Sequence, residues 1–257
     1  MTTLTLAAPS PRLAYLLRLG DDQLVLGHRL SEWAGHAPTL EEDIALANIA
    51  LDHIGAARML YDRAAEVHGE GLTEDDYAYR RDSRGYRNAL LVERPNGDFA
   101  HTIARQLFYS AFALPLWQAL TASQDDTLAA VAAKAEKEAR YHVRHSGDWF
   151  VRLGDGTEES HRRTQDAVNA LWPYTGELFE RDDVLDAMIA EGVAADPQPL
   201  REVWDGTIGQ AFALAGVTAP LTRHFQTGGR EGIHTEALGH ILADMQFLQR
   251  AYPGAKW

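Results

Sequence analysis

Cysteine is absent from all 257 residues, which removes disulfides, thiolate zinc sites, iron–sulfur ligation and a cysteine nucleophile together. Basic residues are scarce: Lys plus Arg number 24 against 37 Asp plus Glu, a net charge of −13. A field of that sign repels nucleic acid, DNA included, and the anionic membrane surface, so neither is an expected partner. No apolar run of about eighteen residues free of charge occurs, so no membrane-spanning helix is expected. The opening MTTLTLAAPS lacks a basic flank and a sustained apolar stretch and reads as a loose tail, not a signal peptide. Residues 1–11 are therefore expected to be flexible, and a cytoplasmic location follows. Strand alternation, solenoid repeats, phosphate-binding glycine loops and a Gly-x-Ser-x-Gly elbow are missing as well.

What remains is a chain with 46% apolar residues, enough for a large core, and no linker that would divide it; one domain over 1–257 is expected. Its apolar residues recur at three and four. Leu13, Leu16, Leu17, Leu24, Leu26, Leu30 and Trp33 mark a first helical segment ending before Pro38, with Asp21–Asp22 placed to begin a helical run. Thr39 is an N-cap for a second, and Glu41, Glu42 and Asp43 suit its positive end. From Ile44 to Leu60 that helix is apolar on nearly every side, which predicts a central, surrounded position.

Gly69 to Gly97 is charged, aromatic and broken, as expected for one or two short helices crossing over a bundle. Asp98 to Ser123 reads as a third long helix with a kink at Pro115, and Thr127 to Leu153 as a fourth. After the turn Gly154–Gly156 comes a helical run to Phe179, interrupted near Pro173. Short helices broken at Gly192, Pro197 and Pro199 follow, and a last helix carries Ile233, Leu238, Leu242, Met245 and Leu248. The fold class expected is all-α, a ferritin-like four-helix bundle with a long crossover and additional C-terminal helices.

The fourth helix holds the chemical question. Leu128, Val131, Ala135, Glu138, His142, His145 and Trp149 step by three and four, so one line carries a carboxylate and two imidazoles through an apolar stripe. Buried charges need partners, and those partners are either metal ions or other side chains. A carboxylate-bridged di-iron bundle needs a Glu from each of two helices and Glu-x-x-His from each of the other two. The second helix gives Asp52-His53-Ile54-Gly55-Ala56, where Gly55 and Ala56 can coordinate nothing. On the fourth, Tyr141 stands three after Glu138 and His142 four after. Asp98 and His101 have the spacing but sit at a helix start, as do Glu158/His161 and Glu231/His234, where capping explains the acids.

Glu42, Asp52, His53, Glu138 and His142 are thus the candidates for a degenerate di-iron core. Asn48 and Asp52 make a polar strip opposite, and no catalytic, cofactor-binding or metal-holding residue is expected. The rival reading is a self-sufficient di-metal oxidase using Glu32 or Glu42, with His53, Asp98, Glu138 and His142. Phe108, Phe112, Trp117, Trp149 and Phe150 read as packing.

Five stretches carry a family likeness: LRLGDDQLVLGHRLSEWAGHAP (Leu17 to Pro38), LEEDIALANIALDHIGAAR (Leu40 to Arg58), LLVERPNGDFAHTIARQ (Leu90 to Gln106), KEARYHVRHSGDW (Lys137 to Trp149) and HTEALGHILADMQFLQR (His234 to Arg250). From about Tyr15 onward the chain resembles the structural subunits of the ring 1,2-phenylacetyl-CoA epoxidases, multicomponent oxygenases of aerobic phenylacetate breakdown. The resemblance implies a ferritin-like bundle, non-catalytic by itself, that pairs with a homologous catalytic subunit. That partner holds the di-iron site and binds the CoA thioester. A further small subunit, and a reductase carrying FAD and an iron–sulfur cluster and using NADPH, complete such a system. The N-terminal helix around Trp33 and the segment GGREGIHTEALG are candidate partner surfaces.

Overall fold

The computed structural model describes residues 3–6, 9–222 and 224–255; of the expected tail, residues 1, 2, 7 and 8 lie outside the described residues. Among those described, the regular structure is entirely helical, as the spacing predicted. The chain divides into two compact units, residues 1–95 with 228–257, and residues 96–227.

The first unit is built on α1 (Pro11–Ser31) and α2 (Leu40–His68). Ser10 caps α1, its hydroxyl accepting from the Leu13 amide at 3.3 Å, with Pro11 at the first helical position, where its missing N–H costs nothing. Thr39 caps α2 as expected, accepting from the Glu42 amide at 3.4 Å. The two helices pack along each other at glycine contacts. A Cβ at Gly20 would lie 2.6 Å from Cε1 of Tyr61, and one at Gly27 would lie 2.9 Å from Cγ1 of Ile54 and 3.1 Å from the Ala50 carbonyl. These positions are seven residues apart, so they line one face of α1 and let the backbones approach.

Asp21–Asp22 does not begin a helix. Both residues sit in the middle of α1 and are fully buried, because two arginines from distant parts of the chain reach them. Nor is α2 surrounded. Leu40, Ile44 and Leu51 are 72%, 54% and 65% exposed, an apolar ladder on its outer side, and Asn48 lies on the same exposed side. The crossover holds α3 (Glu74–Tyr79) and α4 (Leu90–Glu93), separated by a 3-10 turn at Ser83–Gly85. The chain returns to this unit at Gly228 and ends in α10 (Glu236–Ala251). Leu238 and Leu242 of α10 are buried, but Leu248 is half exposed and Gln246 takes the buried place beside it, donating to the Ala78 and Arg81 carbonyls at 2.9 and 3.0 Å.

The second unit packs α5 (Phe99–Leu120) against α6 (Asp126–Gly154), with α7 (Glu158–Leu171) and α9 (Pro197–Ala215) against both, and includes α8 (Asp183–Ala190). Pro115 lies inside α5, which continues through it to Leu120. The interruption near Pro173 is present as 3-10 turns at Trp172–Tyr174 and Gly176–Phe179. Pro197 and Pro199 do not break a helix; they open one. Asp196 caps α9, and prolines in a first turn forfeit no hydrogen bond.

The aromatic side chains are packing, as expected. Trp204 and Phe108 are fully buried, with ring centroids 6.0 Å apart, Phe108 meets Trp172 edge-on at 5.8 Å, and Phe150 stacks on Phe212 at 5.6 Å. The Trp204 indole N–H donates to the Phe108 carbonyl at 2.9 Å. Trp204→Ala should therefore cost about 3–5 kcal/mol. A loss of unfolding free energy, read from denaturant melts, of less than a third of that would contradict this account of the core.

Candidate functional site

The five candidate core residues divide between the units. In the first, Glu42 is buried in the opening turn of α2, Asp52 is half-buried and His53 is 3% exposed. His53 Nδ1 lies 2.6 Å from Oε1 of Gln23 on α1. Gln23 was not foreseen. It sets a neutral side-chain amide against the ring nitrogen.

In the second unit, Glu138 is paired with Lys134 at 2.8 Å and keeps 20% of its side chain in solvent, so it does not face the core. The buried line of α6 runs Leu128, Val131, Ala135, Ala139, His142, Ser146, Phe150. It therefore passes one residue beyond Glu138, His145 and Trp149, with alanine, serine and phenylalanine at the core positions. An apolar or small neutral residue is what a helix puts inside when no counter-charge is at hand. Of the three ionisable residues expected there, His142, 4% exposed, is the one on the line. Tyr141 is 38% exposed and stands outside.

Of the other motif residues, Asp98 and His161 have structural partners. Asp98 caps α5, its carboxylate accepting from the His101 amide at 2.9 Å. Glu159 of α7 binds Arg162 and Arg163 at 2.9 and 2.7 Å, and these guanidiniums hold its carboxyl down at about 2. His161 Nδ1 lies 2.7 Å from the Gly154 carbonyl. Among the described residues no three His, Asp or Glu side chains gather as metal ligands. The donors at hand do not fit a pair of metal ions: an amide on His53, a lysine on Glu138 and a helix cap at Asp98.

Where the first unit does concentrate charge is at α1, and sequence reading passed over it. Asp21 accepts from both Arg81 guanidinium nitrogens at 2.5 and 3.0 Å, from the Tyr61 hydroxyl at 2.5 Å and from the Arg87 amide at 2.7 Å. Arg81 also donates to the Tyr77 and Gly85 carbonyls, and its guanidinium carbon lies 4.3 Å from the Tyr86 ring centroid. Burial by itself would push the Arg81 charge off, but the Asp21 carboxylate outweighs it and holds the guanidinium protonated well above its ordinary range. Burial, reinforced by the Asp21 charge, drives the Tyr61 hydroxyl upward too.

Asp22 accepts from Arg230 at 2.8 and 2.9 Å and from the Ala89 amide at 2.7 Å. Glu93, fully buried, takes the Thr235 amide and hydroxyl at 2.7 and 2.8 Å, the Asn88 amide at 2.9 Å and His234 Nδ1 at 2.8 Å. Each carboxylate is thus saturated by donors, an arrangement that holds segments together and leaves no acceptor for acid–base work. The GGREGIHTEALG segment turns inward through Arg230, His234 and Thr235. The signal for this network was in the sequence: two adjacent aspartates inside an unbroken apolar period from Leu13 to Leu30.

An all-α chain whose long helices pair as α1 with α2 and α5 with α6 is of the helical-bundle class. The family model described as phenylacetic acid catabolic protein, PaaA_PaaC, matches residues 2–257, and the chain belongs to that family. The match takes in the N-terminal residues that the five stretches had left out. Over 244 residues, 95% of this chain and 98% of the relative, the sequence is 51% identical to one of the subunits of the 1,2-phenylacetyl-CoA epoxidase of Escherichia coli (strain K12). No described helix is long and apolar enough to cross a membrane.

Arg81→Gln should destabilise the chain by about 3–5 kcal/mol, because it strands a buried carboxylate. Adding Asp21→Asn should recover a substantial part of that loss, and urea unfolding of the single and double variants reads the coupling. Additive losses would mean that the pair is not the organising contact.

Proposed function

We propose that this chain is the supporting subunit of an epoxidase that acts on phenylacetyl-CoA in aerobic phenylacetate breakdown, and that the oxygen chemistry takes place in a homologous catalytic subunit bound to it. The observation that carries the reading is the state of the expected ligand positions within a chain 51% identical to an epoxidase subunit. Gln23 meets His53, Lys134 neutralises Glu138, and Ala56 stands four after Asp52. The di-iron centre then belongs to the catalytic partner, and FAD, an iron–sulfur cluster and NADPH to a reductase. The assembly, in the cytoplasm, is completed by a further small subunit. The family match over 2–257 supports treating the two compact units as one functional domain.

A partner of the same helical kind needs a matching apolar face, and α2 has one. Leu40, Ile44 and Leu51 recur on one side of α2, exposed by 54–72%. Burying such side chains contributes about 1.5–3 kcal/mol each, which is the scale of an interface centre. This ladder replaces Trp33 and the GGREGIHTEALG segment as the docking surface of choice. The self-sufficient oxidase has no such support, since Asp98 and Glu138 are engaged as a cap and an ion pair.

Co-expression with the other epoxidase components, followed by sizing and iron analysis, tests the reading. The isolated chain should carry no stoichiometric iron and no oxygenase activity, and should co-elute with the catalytic subunit. Ile44→Asp with Leu51→Asp should abolish co-elution while leaving the helical signal and thermal midpoint near those of the parent. Stoichiometric iron in the isolated chain, or co-elution untouched by the double variant, would overturn the supporting role or the docking face respectively.

A further inference from the structure

The outer side of α6 carries a stripe that neither the fold nor the supporting role uses. Lys137, Tyr141, Arg144, Asp148 and Arg152 follow one another at intervals of four, three, four and four, and all are exposed. By the rise of a helix they span about 22 Å along one line. Three of the five are cations, in a chain whose net charge is −13.

Two of these cations are held in place by aromatic rings. The Arg144 guanidinium carbon lies 5.6 Å from the Tyr141 ring centroid, and that of Arg152 lies 5.5 Å from Trp149. Trp149 is itself fixed edge-on against Phe99 at 5.2 Å. An arginine laid on an aromatic face loses rotamer freedom but keeps its fork of N–H donors at the edge, ready for carboxylates. Among the described residues no ion pair engages Lys137, Arg144 or Arg152, and Asp148 between the two arginines pairs with neither. Elsewhere in the same unit the surface arginines behave differently: Arg162, Arg163 and Arg181 each face a carboxylate at 2.7–2.9 Å. Flanking the stripe on α6, Lys134 and Arg140 are likewise neutralised by Glu138 and Glu136.

We propose that this stripe of α6 docks an acidic segment of another protein, one presenting a row of carboxylates along a helix or extended strand. Three cations spread over about four helical turns suit a protein segment and are too far apart for a single small anion. The acidic remainder of the chain disfavours nucleic acid. The contact is electrostatic with an aromatic floor, so it differs in kind from the apolar α2 ladder. It fits a partner that binds and leaves quickly, since steering charges raise association rates more than affinity. The inference rests on the reading that the chain works in an assembly.

The test uses the full chain and a fluorescent helical peptide of about 18 residues with glutamates at three- and four-residue intervals, long enough to cover the stripe. Anisotropy should report binding at low ionic strength that weakens steeply as salt rises. Lys137→Gln, Arg144→Gln and Arg152→Gln together should weaken it about tenfold or more. Arg162→Gln, Arg163→Gln and Arg181→Gln, which remove the same charge elsewhere, should change it by less than about twofold. Equal losses in both triple variants would overturn the proposal, as would no binding at low salt or self-association of the chain through α6 in place of peptide binding. The peptide assay needs no other subunit and the co-elution assay no peptide, so each reading can fail alone.

Discussion

The contact on which the first unit depends is the pair between Asp21, in the middle of α1, and Arg81, both fully buried. Two charges taken out of water are costly unless every remaining donor and acceptor is matched. The consequence is visible around them: Tyr61, the Arg87 amide and two carbonyls complete the set. Because Asp22 stands one residue on, its side chain points elsewhere around the helix and requires a second cation, Arg230. From these demands follow the path of the crossover, the return of the chain at Gly228 and the inward turn of His234 onto Glu93. A helix with two buried aspartates dictates the topology of everything that must reach it.

Long periodic segments were legible in the sequence. The four long helices, the Thr39 cap and the broken crossover follow from local chemistry, since periodicity and caps are decided within a few residues. What was not legible is what depends on distant residues. Asp21–Asp22 looks like a helix start when read locally, because the arginines that keep the pair buried lie about 60 and 208 residues away. The face of α6 was misplaced by one residue after Ala135, because Glu138 and Ala139 both fit a three-or-four step and only the cost of burying a carboxylate separates them. Prolines at 197 and 199 were read as breakers when an aspartate cap before them made them starters.

The candidate core was half legible. His53 and His142 are buried as their spacing suggested, but Gln23, the partner of His53, carries no metal-ligand signature and could not be found by searching for one. The exposed ladder on α2 escaped for the opposite reason: a helix apolar on every side looks central from its own sequence. Family membership changes what that pattern means. A monomer would bury such a helix, whereas a subunit of a larger assembly can leave part of its core to be completed by another chain.

The two-unit layout also sets an order of events during synthesis. Residues 96–227 form a contiguous stretch and can collapse as soon as they emerge. Residues 1–95 cannot finish, because Asp22 and Glu93 wait for Arg230, His234 and Thr235, made after the whole second unit. Translation therefore reverses the usual precedence: residues 96–227 can mature before residues 1–95, which wait for the segment from Gly228 onward.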